Sequence, residues 1–203
     1  MSRKLEAELA VAASAFERFP LPNTSIDISV LLQPASALKH YTHQKPRDAA
    51  SAHLYALICE RLDMADEAVS ALERAVSILE EEFEATESSE IEQRYSMALC
   101  DLGRVRLAGG QYQGSLEAFT NCLELVPQMA ILRIQCKLGQ GLAHVWLEQI
   151  DESLKAFQAS LDEAAQSNIE GMREEVTVLL SRTLWGLGGE DAKEAAKTHL
   201  LEW

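Results

Sequence analysis

An all-α solenoid of antiparallel helix pairs is the fold this sequence predicts, on three observations. Proline is confined: four of five prolines (Pro20, Pro22, Pro34 and Pro46) fall in the first quarter, and beyond residue 47 only Pro127 interrupts a helix-compatible pattern. A ten-residue pattern recurs in DMADEAVSAL (63–72), GQYQGSLEAF (110–119), EQIDESLKAF (148–157) and LGGEDAKEAA (187–196). Its sixth place holds a small residue (Ala68, Ser115, Ser153, Ala192), and its tenth holds Leu72, Phe119, Phe157 and Ala196. Twelve residues before each small residue stand Ala56, Gly103, Gly141 and Leu180, so two units carry glycine in mid-helix. Glycine there costs about 1 kcal/mol relative to alanine, which is repaid where another backbone must come close. The small residues lie 47, 38 and 39 apart, as expected of a helix-turn-helix unit recurring with variable length.

In chain order, a helix is expected from about residue 3 to 18, then a Pro-bounded irregular segment, then helices within 24–44. Residues 1–47 thus form N-terminal helices, an incomplete repeat and a connector, and 48–203 form four helix pairs. The pairs are 48–62 with 65–87, 90–108 with 111–125, 129–147 with 151–167, and 170–187 with 190–202, or about 48–87, 90–127, 129–167 and 170–202 as repeats. The long first interval comes from ILEEEFEATESSEIEQ, which reads as a solvated extension of one helix into the next, or alternatively as an acidic docking patch for a basic partner. LEAELAVAASAFERF looks like the second helix of a pair without its first, and the sequence stops abruptly at Trp203 in HLLEW. Solenoid ends normally carry polar caps, so a segment of a longer array is expected.

An apolar fraction of 47% with 25% charged residues is that of a folded chain. The net charge of −14, with no basic cluster longer than Arg104 and Arg106, argues against direct contact with nucleic acid or an anionic membrane. No run of 18 apolar residues predicts a membrane span. Cys59, Cys100, Cys122 and Cys136 are scattered without a C-x-x-C pair, and are expected as buried free thiols in a reducing compartment, cytoplasm or nucleus.

Residues 96–127 resemble the tetratricopeptide (TPR) repeat. Leu99, Leu102-Gly103, Gly110, Tyr112, Phe119 and Pro127 fall on the family positions, with Ser115 and Cys122 in place of alanines. The third unit matches in part, through Gly141 and Phe157, and the first and fourth are degenerate. The resemblance implies a right-handed superhelix in which helix A of each pair crosses its helix B. Ala56, Ala68, Gly103, Ser115, Gly141 and Ser153 would then permit close approach, with Phe119 and Phe157 filling the space beside them. An ordinary antiparallel bundle with such residues by chance is the competing reading, and four windows in phase argue against it.

No catalytic constellation emerges. His40 and His43 lie one turn apart but lack further ligands in HYTHQKP, and neither G-x-S-x-G nor a phosphate loop occurs. The glycines of GLGGED fall in a helix-helix turn. No enzyme activity, cofactor or metal is therefore expected.

Function in a TPR array lies on the concave face lined by A helices, at places 2, 5, 9, 12 and 13 of each unit. Carried over, these include His53, Leu57 and Arg61; Met97, Cys100, Arg104, Leu107 and Ala108; Gln135, Leu138, Leu142, Val145 and Trp146; and Leu184 and Trp185. Of these, His53, Arg61, Arg104, Leu138, Leu142, Trp146 and Trp185 are the candidate partner-binding residues. The Lys, Asn and Arg clamp of chaperone-binding TPR proteins is missing, which leaves a largely apolar groove. Trp146 and Trp185 are either binding anchors or seals between adjacent A helices. FERFPLPNTSIDISVLLQPASAL and AHLYALICERLDMADEAVSALERA resemble the long TPR scaffold subunits of the fungal superkiller (Ski) complex. That resemblance implies a cytoplasmic assembly with an RNA helicase and WD40-propeller subunits, feeding messenger RNA to the exosome for 3′-to-5′ decay. The alternative is an adaptor whose groove binds a short apolar peptide of a partner. A role appended to a catalytic domain elsewhere is a third.

Overall fold

A computed structural model describes residues 29–125, 129–167 and 172–186, and among these residues every regular element is an α-helix. In chain order they are α1 (Ser29–Gln44), α2 (Ala49–Arg61), α3 (Ala65–Thr86), α4 (Ser89–Ala108), α5 (Tyr112–Glu124), α6 (Ala130–Trp146), α7 (Ile150–Ser167) and α8 (Met172–Gly186). From α2 to α8 each end lies within two residues of its expected place. The expected helices at 3–18 and 190–202 lie outside the described residues. The chain divides into two compact units, one ending at Ile91 and one beginning at Glu92.

In the first unit, Asp48 caps α2: its carboxylate accepts from the Ser51 amide at 3.1 Å and from the Ser51 hydroxyl at 2.8 Å. Such a cap contributes about 1 kcal/mol. Ala56 and Ala68 are fully buried with Ile58, Cys59, Leu72 and Ala75. Arg74 of α3 donates to the carbonyls of Thr42, Lys45 and Pro46, satisfying the C-terminal end of α1. α3 continues through the acidic run with its carboxylates mostly exposed, and ends where Glu87 turns left-handed.

The helix A to helix B turns repeat one design. Asp63, Gly110 and Glu148 take positive φ (59°, 76° and 61°), and the following amide returns to the carbonyl five residues back: Met64 to Cys59, Gln111 to Arg106, Gln149 to His144. This is a left-handed helix terminus of the Schellman kind. Only the middle turn has the glycine that its conformation favours.

In the second unit the small residues do what their spacing suggests. A Cβ added at Gly103 would lie 2.6 Å from the Phe119 ring, and one at Gly141 would lie 2.6 Å from Phe157. Phe119 is also gripped from the other side, since a Cβ at Gly139 would lie 2.3 Å from its Cζ. The Ser115 hydroxyl donates to the Gly103 carbonyl at 2.7 Å, tying the two helices at their crossing. The Cys122 thiol bonds the Ser96 carbonyl at 3.2 Å, and 38 residues later the Ser160 hydroxyl bonds the Ile134 carbonyl at 3.0 Å. Ser153 is buried at the place equivalent to Ser115, but its hydroxyl has no partner. Arg133 and Lys137 of α6 grip Glu163 of α7 at 2.7 and 2.9 Å. All four cysteines are free and buried. Cys100, Cys122 and Cys136, remote in sequence, meet in the core, where thiol contacts and burial push the Cys136 thiol far up.

Candidate protein-binding surface

The A helices of the second unit present an exposed stripe generated by helical phase. Along α4, Met97, Arg104 and Ala108 lie seven and then four residues apart and face solvent; along α6, Gln135, Leu142 and Trp146 repeat those intervals. Leu142 is half-buried and packs on the core, while Trp146 is 64% exposed. Met97 and Ile131 add exposed apolar surface at 39% and 38%. The Cys100 and Cys136 contact sets α4 beside α6, and the Gln93 amide reaches the Met129 sulfur at 3.3 Å.

One candidate binding residue faces inward. Leu138 is only 9% exposed and belongs to the core cluster with Ile134, Phe157, Val176 and Leu180. The cause is its phase: three residues after Gln135 it is rotated about 60° from the stripe, toward α7 and α8. Cys100 is turned inward for the same reason.

Trp146 does not stand alone. Its ring stacks on Tyr112 with centroids 5.5 Å apart and planes 4° from parallel. Tyr112 opens α5 and Trp146 closes α6, so each ring sits at a helix terminus beside a left-handed turn. The stacked pair leaves one indole face turned outward, giving a rigid aromatic platform at low entropic cost. Sequence reasoning used Tyr112 only as a turn marker. The available signal was the 38-residue interval, which puts the start of one B helix beside the end of the next A helix.

Arg104 carries an ion pair with Asp101 at 3.0 Å, one turn before it, with a half-exposed side chain. His53 and Arg61 lie half-buried on α2 in the first unit. The Trp185 side chain lies outside the described residues. Among the described residues, no group of three or more His, Cys, Asp or Glu could hold a metal ion, and no helix is long and apolar enough to cross a membrane.

No family model matches the sequence. Superkiller protein 3 of Schizosaccharomyces pombe is 30% identical over 82% of this chain, and superkiller protein 3 of Saccharomyces cerevisiae is 23% identical over 87%. In each case the match covers 12% of that protein, so the chain spans about one eighth of the length of these curated relatives. Similar solved structures include a putative kinesin light chain with nearly identical TPR-like repeats from Podosopora anserina, at TM-score 0.70 and 15% identity, covering 98% of this chain and 94% of that one. Another is MamA from Desulfovibrio magneticus RS-1, at TM-score 0.65 and 16% identity, covering 100% and 94%. At these identities the likeness shows the fold.

Proposed function

Because the chain is a TPR-like helical-repeat protein and a homologue of one segment of superkiller protein 3, we propose that it is a non-catalytic scaffold segment within a cytoplasmic complex for 3′-to-5′ messenger RNA decay. Its partners in this reading are protein subunits, an RNA helicase and WD40 propellers, which deliver RNA to the exosome. Contact with RNA falls to the helicase, in keeping with the chain's net charge of −14.

The observation that carries the reading is the exposed Trp146 held flat against Tyr112 beside the half-buried Leu142. An indole 64% exposed gains nothing for the fold from its outer face, and burying it against a partner recovers that area. Tryptophan anchors of this kind lose about 2 kcal/mol or more of binding on truncation, or roughly thirtyfold in affinity.

The test is a pull-down from cytoplasmic extract with the parent and a Trp146→Ala, Trp185→Ala double variant matched for helicity by circular dichroism. Recovery of a helicase and a WD40 protein by the parent and their loss from the folded variant is the expected result. Equal recovery by both removes the tryptophans from the interface, and no recovery by either contradicts the scaffold role.

A further inference from the structure

The first unit has a cleft of about 430 Å³, walled by α1 and α3 and floored by α2. Its floor is Ala52 and Tyr55, and Tyr55 is 7% exposed. These residues lie on one side of α2, whereas His53, Leu57 and Arg61 fall about 100° or more around the helix. The cleft is therefore distinct from the A-helix stripe, and nothing about it depends on Trp146.

Its walls carry opposite charge. Lys39 and His43 project from α1, Asp66 and Glu67 from the first turn of α3. Lys39, Asp66 and Glu67 hold no ion-pair partner among the described residues. Lys39 and Glu67 line the same cleft from opposite walls. Arg74 also lines the cleft; its guanidinium keeps its charge while its hydrogen bonds to the Thr42 and Pro46 carbonyls fix the two walls relative to each other. The helix dipole accounts for acidic residues opening α3. It does not account for a lysine without an ion pair among the described residues on the opposite wall of a cleft whose volume is in the range of ligand sites.

We propose that this cleft is a second docking site, which takes a short extended peptide segment of a protein partner. A lysine or arginine of the segment lies against Asp66 and Glu67, and an acidic residue of it lies against Lys39. The segment's paired charges mirror those of the cleft, where the Asp66 and Glu67 carboxylates stand against the Lys39 ammonium and the Arg74 guanidinium.

The experiment titrates two capped pentapeptides into the ¹⁵N-labelled protein, one with arginine and glutamate two residues apart and one with glutamine at both places. The charged peptide should shift amides at residues 39–43, 52–55 and 66–71, saturating at millimolar concentration and weakening severalfold as salt rises from about 0.05 to about 0.5 M. The neutral peptide should bind at least tenfold more weakly. Lys39→Gln, and Asp66→Asn with Glu67→Gln, should each cost the charged peptide about tenfold with unchanged circular dichroism. Equal shifts from both peptides, shifts mapping elsewhere, insensitivity to salt, or no binding of either peptide would each overturn the site. The salt series uses the parent protein, so it decides even if a variant misfolds.

Discussion

Substituting Gly139 by alanine should destabilise the second unit even though it improves helix propensity. The added Cβ would stand 2.3 Å from Cζ and 2.4 Å from Cε2 of Phe119. Carbon atoms settle at about 3.5 Å or more, so the ring must retreat by more than about 1 Å. It has nowhere to go, because Gly103 presses its other edge and it is 2% exposed. Overpacking of this kind costs about 1–3 kcal/mol, against a propensity gain of about 1 kcal/mol for Gly to Ala. The expected net loss is up to about 2 kcal/mol. Gly114→Ala is the internal control: its Cβ would meet only the flexible Arg106 side chain at 3.4 Å, so it should be neutral or stabilising by up to about 0.5 kcal/mol. Urea unfolding followed by circular dichroism reads both. Phe119→Leu should cost less in the Gly139→Ala background than in the parent, with a coupling of at least about 0.5 kcal/mol. A Gly139→Ala variant as stable as the Gly114→Ala one would refute the packing argument.

Three further outcomes follow from the turns, the charge clamp and the thiols. Glu148→Gly relieves a left-handed residue at φ 61° and should raise the urea midpoint by the equivalent of about 0.5–1 kcal/mol; a lowered midpoint would contradict it. The Arg133 and Lys137 hydrogen bonds hold the Glu163 carboxyl down at about 2, so its stabilisation is fully present above the ordinary glutamate range and fades as pH falls toward 2. Glu163→Gln should therefore cost about 1–2 kcal/mol at pH 7, screening of its one-quarter-exposed partners included, with the difference from the parent shrinking between about pH 4.5 and 2 in urea titrations. With contacts to Cys100 and Cys122 and burial keeping the Cys136 thiol protonated, a thiol reagent at neutral pH should label it only after unfolding, and native-state labelling at the rate of a free thiol would refute the cluster.

Much of the fold was legible because its signals are local and periodic. The sixth-place small residues and tenth-place leucine or phenylalanine mark where helices cross, and Ala56, Ala68, Gly103, Ser115, Phe119, Gly141, Ser153 and Phe157 are all buried. What escaped was pairwise and non-local. Gly139 was hidden by its neighbour Gly141, although only the next helix A can press the outer side of Phe119. The three-thiol meeting of Cys100, Cys122 and Cys136 requires knowing how three helices align. The family position at Leu138 lies about 60° off the exposed stripe and inside the core cluster, a phase that the repeat pattern alone does not display. The Tyr112 and Trp146 stack joins a turn residue of one repeat to a helix end of the next, which neither repeat shows alone.

The scaffold reading stands or falls on where a protein partner covers this chain. Amide hydrogen exchange of the parent, alone and with purified helicase and WD40 subunits of its own organism, locates that contact. The account predicts slowed exchange at the exposed Trp146 end of α6 and in the adjoining start of α5, with the solvent side of α7 unchanged. Protection confined to α7, or no protection at saturating partner, would contradict it.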